Sequence, residues 1–491
     1  MSTGGLKSSG GICSDAVLVG GKRRLAIVAT SALVIAGLLA GAAGAQALPP
    51  AGQVSFSEPS LSPSFAPDIE DYVVRCQNAA VTVQGHASGG WQMAIGNHPF
   101  RSGDFSETVP LGSGRAFVVT VQQGGPPLYR YHVRCLPNLF PDYTFKRFGP
   151  VSPKFFAVAR GTLHYAMIFN DDGVPIWWIR NSTWNFRVLP DGTLLWYNPQ
   201  SLQFEIHRLN GSLVRVLRPV GHPPDGHDLQ FLGTDHLVGS KVPQDHVDTS
   251  AFGGSSDATV LNAELQQVNP QGQLVWDWKT QDHIALAETG RWWPRAIDLG
   301  YDIIHWNSIQ PVGNGSVIAS FRHLDAVYKI DKSTGSIIWK LGGTSRPASL
   351  NVIGDPFAYT FGGQHDARLL PDGTLTVFDN RTELGTPPRA VRFRIDETTG
   401  TATLLQSISD PNVRASQCCG SARRLGNGDW LIDWGQAYSH PIGGYKPNGQ
   451  RTFLLTFPAA SSYRAEPVPS GAMSTQGLRN AMNARCSSGC F

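Results

Sequence analysis

Short apolar runs rich in Val, Ile, Leu, Phe and Trp alternate with tight turn signals along most of this chain. NFRVLPDGTLLWYN at 185–198, HDARLLPDGTLTVFDN at 365–380 and SARRLGNGDWLIDWG at 421–435 share one layout. HDLQFLGTDHLVGS at 227–240 and NSIQPVGNGSVIASF at 307–321 repeat it. Each reads as strand, turn, strand. Most turns carry Asp-Gly or Asn-Gly, which tolerate the positive φ of a two-residue hairpin loop. A second hairpin follows several of them, at 263–279, 326–343 and 390–406, with a shorter version at 205–218. Two hairpins make a four-stranded antiparallel unit, and units begin near residues 155, 185, 227, 305, 365 and 421. Radial stacking of six units predicts a six-bladed β-propeller over residues 137–465. Segments 241–262 and 280–304 interrupt the repeat and predict long loops that cover or build a site. The second suggests a short helix and brings Trp292 and Trp293 toward His305.

Ahead of the repeat, DYVVRC, AAVTVQG, AFVVTVQQ and YRYHVRC predict a small β-sandwich over residues 48–136. Cys76 and Cys135 end two of these strands, and a bridge between them would staple that domain. The fold class is therefore all-β, with a C-terminal tail at 466–491 holding Cys486 and Cys490. Residues 1–47 form an extension with a signal or anchor. Lys22, Arg23 and Arg24 precede an apolar run from Leu25 to Ala43 that ends in Ala45-x-Ala47, the pattern of an export signal. The run is almost long enough to span a bilayer, so retention as a membrane anchor is the alternative. Six of the seven cysteines fall after this segment, which fits an oxidising, extracytoplasmic setting. The adjacent Cys418 and Cys419 could bridge each other or pair elsewhere. No cysteine pair has metal-ligand spacing.

Charge changes the picture in one respect. The formal net charge of +3 comes from the N-terminal segment, and removing residues 1–47 leaves 36 basic and 36 acidic side chains. A neutral chain has no long-range field to collect nucleic acid, and no basic stripe is present. No glycine cluster has strand–glycine–helix context, and no G-x-S-x-G elbow marks a serine nucleophile. No cofactor is called for. Asp245, His246 and Asp248 could hold a divalent cation, but a solvated turn explains them equally simply.

The polar residues at the starts of the units carry the chemistry. His227, His305 and His365 precede the first strand of three different units. His305 and Asn307 are two apart, which predicts that both face one side of a strand. Arg322 closes the strand paired with that one. A cluster of histidines, a guanidinium and an amide is costly to bury unless it meets an anion. A purely structural reading also exists, in which such residues bond backbone around a channel.

The stretches HWNSIQ, SVIASFRHLDAVYKID, IIWKLGG and GGQHDARL resemble the bacterial arylsulfotransferase family, across roughly residues 137–465. That family consists of exported, nucleotide-independent sulfotransferases built on a six-bladed propeller behind a small β domain. The resemblance implies transfer of a sulfuryl group from an aryl sulfate donor to a phenolic acceptor by ping-pong exchange. It implies His365 as the nucleophile that becomes sulfated, with His227, His305, Asn307 and Arg322 binding the sulfuryl oxygens. The compact LLPDGT hairpin after His365 and the FDNR segment at 378–381 depart from the family pattern, which leaves the acceptor open. A non-catalytic ligand-binding propeller and a sulfate-ester hydrolase on the same site are the alternatives. The oligomeric state is open.

Overall fold

The computed structural model describes residues 48–487 apart from 51, 77–78, 161–163, 182, 314, 440 and 459–461. The expected export or anchor segment and Cys490 lie outside the described residues. No helix among them is long and apolar enough to cross a membrane.

Local chemistry forms the hairpins. In the LPDGT turns, Leu189 N donates to Thr193 O at 2.8 Å and Leu370 N to Thr374 O at 2.7 Å. Three residues therefore form each loop, one more than the two-residue expectation. Gly192 (φ +80°) and Gly373 (φ +76°) take the left-handed position, as three-residue hairpin loops require. Asp191 and Asp372 accept from the backbone N of Thr193 and Thr374, which closes each turn.

These hairpins assemble into six sheets. The first joins Phe155–Arg160, Tyr165–Asn170 and Pro175–Arg180 to the late strand Ser462–Pro467. The second runs Trp184–Val188 to Leu213–Leu217, the third Leu229–Leu232 to Leu274–Lys279, and the fourth Trp306–Val312 to Ile337–Gly342. The fifth holds His365–Leu369 to Thr401–Ile408, with Asn351–Ile353 added parallel at its far edge. The sixth holds Ser421–Arg424 to Arg451–Thr456, completed by Thr144–Arg147.

The expected six-bladed β-propeller is corrected here. The sheets are separate, open and mostly antiparallel, and none is closed into a barrel or curled into a propeller blade. The reason lies in what the repeat encodes. Turn residues and alternation fix pairing between neighbouring strands, whereas closure depends on tilt and stagger that no turn signal specifies.

The first part of the described chain forms two sheets. Val54–Ser57, Ala80–Ala87 and Gly103–Pro110 make one, and Asp71–Arg75, Tyr129–Leu136, Ala116–Gln123 and Trp91–Ile95 the other. One buried cluster, including Phe56 and Val83 of the first and Met93 and Tyr131 of the second, is shared between them. The Cys76–Cys135 bridge is present. The C-terminal segment carries a helix, Thr475–Arg485, capped by Ser474 Oγ. Its Arg479 binds both carboxylate oxygens of Asp71 at 2.7 Å, which ties the helix to the first sheets.

Segment 241–262 is not a loop. The hairpin arms Asp235–Val247 and Ala258–Val268 run through it, with one 3-10 turn at the tip. Segment 280–304 does carry a short helix, Trp293–Asp298. It is anchored by Glu288, which accepts from Lys340 Nζ (2.8 Å), Tyr328 OH (2.9 Å) and Arg346 Nη1 (3.1 Å).

The Cys76–Cys135 bridge closes a 59-residue separation, which corresponds to about 4 kcal/mol of restricted unfolded-chain entropy. The double substitution Cys76→Ala/Cys135→Ala should lower stability by about 2–4 kcal/mol in urea unfolding. An unchanged urea midpoint would contradict this account of the staple.

Candidate functional site

The six sheets meet through a buried charge network. Asp228 Oδ2 pairs with Arg368 at 2.8 Å, and Asp228 Oδ1 lies 3.5 Å from Arg464 and 3.7 Å from Arg187. Asp366 Oδ1 binds Arg423 (2.9 Å) and Arg368 (3.0 Å), with Arg464 Nε at 3.5 Å. Glu466 binds Arg423. Five sheets contribute side chains. The fourth contributes backbone, since Ile309 N donates to Asp228 and Asn307 O accepts from Arg464. Four guanidiniums thus face three carboxylates. Burial, working against Arg423, Arg368 and Arg464, still raises the Asp366 carboxyl. Asp228 is pushed up by burial but held well below the carboxylate range by Arg368, Arg464 and Arg187.

The three expected histidines gather beside this network. The rings of His227 and His305 lie 5.0 Å apart, and Tyr463 sits between histidines, 6.2 Å from His227 and 5.2 Å from His365. Each ring is held through Nδ1. His227 Nδ1 donates to Asp225 and His305 Nδ1 to Asp302 (2.8 Å), whereas His365 Nδ1 donates to the Gly420 carbonyl at 2.7 Å. Two histidines thus carry a carboxylate partner and one carries a neutral carbonyl. With Nδ1 protonated, the neutral rings of His305 and His365 keep the lone pair on Nε2. Among the described residues, His365 Nε2 has no hydrogen-bond partner.

The carboxylates differ as well. Asp302 also pairs with Lys241 at 2.9 Å. Burial raises Asp302, but the His305 hydrogen bond and Lys241 outweigh it and keep the carboxylate ionised. Burial lowers His305 despite Asp302, with His227 and Arg322 adding to the effect. Burial, Arg464 and His227 hold His365 well below the ordinary imidazole range. His365 is therefore neutral near pH 7.

Arg322 is 4% exposed and has no carboxylate within salt-bridge distance among the described residues. Its Nη2 donates to Gln417 O at 2.7 Å, its Nη1 meets His323 Nε2 at 3.0 Å, and its buried Nε has no partner. The guanidinium lies over Trp292, 4.5 Å from the ring centroid. His323 stacks on the same indole at 4.7 Å. Trp292 is thus a buried platform, fixed by its Nε1 on Asp325 at 2.8 Å. Trp293 stacks on Phe252 in the core. Burial first, then Arg295, lowers Arg322 to about 10, which leaves it charged at neutral pH.

Asn307 is also brought into this region, with its amide committed to backbone. Its Nδ2 donates to Gln364 O (2.8 Å) and its Oδ1 accepts from Asp366 N (3.2 Å). His305 lies outside the strand at φ +48°, and the ladder shifts between Trp306 and Ser308. The shared-face argument from a regular strand therefore does not describe this pair.

Sequence reasoning missed His323, Asp225, Asp302, Lys241 and the Gln417 and Gly420 carbonyls. His323 was legible, since it neighbours Arg322. The carbonyls had no sequence signal. Asp302, His305 and His323 could each offer one ligand atom to a metal ion. Those atoms are already engaged with Lys241, with each other and with the Arg322 cation, which opposes a second cation. Asp245, His246 and Asp248 do not converge; each bonds a different local partner.

Comparison with known proteins identifies one family. The arylsulfotransferase (ASST) family matches residues 220–457, just under half the chain, a span that contains His227, His305, Arg322 and His365. No curated protein matches. Among solved structures, a Bacteroides caccae protein of unknown function is 13% identical, covering 65% of this chain and all of its own, with a TM-score of 0.42. A catalytically inactive virginiamycin B lyase from Staphylococcus aureus with quinupristin is 9% identical, covering 64% and 74%, with a TM-score of 0.30.

Burial keeps His305, His323 and His365 neutral in the fold, and His323 falls to about 2. An unfolded imidazole takes up a proton below about pH 6.5. The unfolded chain then binds more protons, so this stability is full above about pH 6.5 and is lost as pH falls. His323→Asn should flatten the stability slope between about pH 6 and 4 by up to about 1.4 kcal/mol per pH unit. Urea unfolding at several pH values checks this, and an unaltered slope would contradict it.

Proposed function

We propose that this chain, which carries an arylsulfotransferase-family domain over residues 220–457, moves a sulfuryl group from an aryl sulfate to a phenol through a sulfated His365. The observation that carries the reading is Arg322. A guanidinium this deeply buried, with an unpartnered Nε and no carboxylate within salt-bridge distance among the described residues, suits a bound anion. His227 and His305 lie ring to ring, and Tyr463 touches both His227 and His365; of these three histidines only His365 has no carboxylate on its Nδ1.

In the first step the lone pair of His365 Nε2 attacks sulfur and the S–O(aryl) bond breaks. The bond electrons go to the phenolate oxygen, which takes a proton from the imidazolium of His227. Products are the phenol and His365 carrying the sulfuryl on Nε2, its ring positive and its sulfonate negative. The Gly420 carbonyl stabilises the Nδ1–H as that ring charge develops. In the second step neutral His227 removes the acceptor's phenolic proton and the oxygen attacks sulfur, which regenerates both histidines. A covalent intermediate divides one transfer into two easier ones.

The acid–base role is assigned to His227 and not to His305 on the hydrogen bonds of their carboxylates. Asp302 is shared between His305 and Lys241, whereas Asp225 bonds His227 and its Oδ2 has no hydrogen-bond partner. Arg322 binds the sulfuryl oxygens, and Trp292 fixes its plane. Asn307 acts by holding the backbone on either side of His365. For aryl groups, Trp184 is partly exposed and stacks on Tyr463 at 6.1 Å, 20° from parallel. That aromatic surface adjoins His365 and His227.

With 4-nitrophenyl sulfate and a phenol, nitrophenol release should depend on the acceptor. His365→Ala should abolish it. Arg322→Lys should lower kcat/KM about a hundredfold, equivalent to about 3 kcal/mol. Release that ignores the acceptor would indicate hydrolysis. Full activity in the His365 variant would sink the proposal.

A further inference from the structure

The segment 409–420, between the strands ending at Ile408 and beginning at Ser421, contains no strand or helix. Nothing in a ladder fixes its peptide groups, yet its last four carbonyls each meet a different partner. Gln417 O accepts from Arg322 Nη2 at 2.7 Å, and Cys418 O accepts from Gln436 N at 3.0 Å. Cys419 O accepts from Asn380 Nδ2 at 3.1 Å, and Gly420 O accepts from His365 Nδ1 at 2.7 Å. The groups proposed to bind sulfate and to attack it are thus aimed by carbonyls at the two ends of one tetrapeptide. The bridge Cys418–Cys419 occupies its centre.

We infer that the Cys418–Cys419 bridge is a positioning element for sulfuryl transfer, holding the Gln417 and Gly420 carbonyls in the directions that orient Arg322 and His365. This rests on the function proposed above. A peptide group in an irregular segment can rotate about its flanking φ and ψ, and its carbonyl then turns away. Linking the side chains of adjacent residues restricts the torsions between them. Cys419 sits at φ +65°, where an L-residue is disfavoured. Gly420 follows at φ +93°, where an added Cβ would come within 2.7 Å of Asp433 O. Two consecutive left-handed residues turn the Gly420 carbonyl toward His365. Without the bridge, only the hydrogen bonds at Cys418 O, Cys419 O and Gly420 N oppose the return of Cys419 to a commoner conformation. His365 would then lose the acceptor that sets its Nδ1–H tautomer, and protonation would shift to the attacking nitrogen. Arg322 would lose one of its two hydrogen-bonded partners. The consequence falls on chemistry more than on global stability, because a bridge between neighbours closes almost no chain. Cys76–Cys135 has the opposite character.

The test compares the full chain with Cys418→Ala/Cys419→Ala and with Cys76→Ala/Cys135→Ala. Melting temperature, 15N resonances of labelled histidine and the single-turnover rate with 4-nitrophenyl sulfate are measured for each. The Cys418/Cys419 variant should melt near the parent, lose the Nδ1–H tautomer of His365 and slow sulfation about a hundredfold. The Cys76/Cys135 variant should melt earlier and keep both tautomer and rate. Persistence of the tautomer, or a rate within about threefold of the parent, in the Cys418/Cys419 variant overturns the inference. Should that variant fail to fold, the Cys418–Cys419 bridge is reduced with a phosphine in the folded Cys76→Ala/Cys135→Ala variant that also carries Cys486→Ala, since Cys486 is disulfide-bonded as well. Tautomer loss on reduction then supports positioning, and tautomer retention overturns it. A parent inactive on aryl sulfates, with a tautomer that still depends on the bridge, would reject sulfuryl transfer and leave the positioning role standing.

Discussion

Four guanidiniums and three carboxylates buried where six sheets meet impose the constraint on which the rest depends. Arg187, Asp228, Asp366, Arg368, Arg423, Arg464 and Glu466 come from strands far apart in sequence. Removing Asp228, Asp366 or Glu466 alone leaves buried guanidiniums short of a counter-charge, a loss of about 3–5 kcal/mol. Mutual satisfaction therefore fixes how the inner strands approach one another. The imbalance toward positive charge reaches the neighbouring chemistry. Arg464 is, after burial, the largest influence keeping the His365 imidazole neutral.

Above that network the histidines are distinguished by what holds their Nδ1 atoms. His227 is held by the Asp225 carboxylate, which orients its ring for proton transfer in the proposed reaction. A carbonyl orients His365 without charging it, which suits a nucleophile. His305 falls between them, because Lys241 competes for its carboxylate. Arg322 is left as the cation without an ionic partner, flat on Trp292. Residues Arg187, Tyr463, Arg464 and Glu466 belong to this arrangement although they lie outside the 220–457 span of the family match.

Much of the local structure was legible because turn chemistry and alternation act over a few residues. The hairpins at 185–198, 365–380 and 421–435 formed where Asp-Gly or Asn-Gly predicted them. Sheet closure was not legible, since it depends on long-range geometry, and the propeller expectation failed there. The arms of the 235–268 hairpin looked like loop because polar residues alternate along an exposed extension. At the site, residue types that carry charge were found by their spacing. Asn307 was identified as a sulfate ligand by resemblance, yet its amide is committed to backbone. The Gln417 and Gly420 carbonyls could not be found, because a backbone acceptor looks the same in every residue.

In the proposed reaction His365 carries the sulfuryl group between donor and acceptor. The most direct test of this is rapid mixing of the chain with excess 4-nitrophenyl sulfate and no acceptor. The digest, kept alkaline, is then examined by peptide mass mapping. The account predicts a nitrophenol burst equal to the active-site concentration, with one sulfuryl group on the peptide that contains His365 and on that ring. A burst with the label on another residue, or acceptor-dependent transfer with no covalent label at any time, would contradict it.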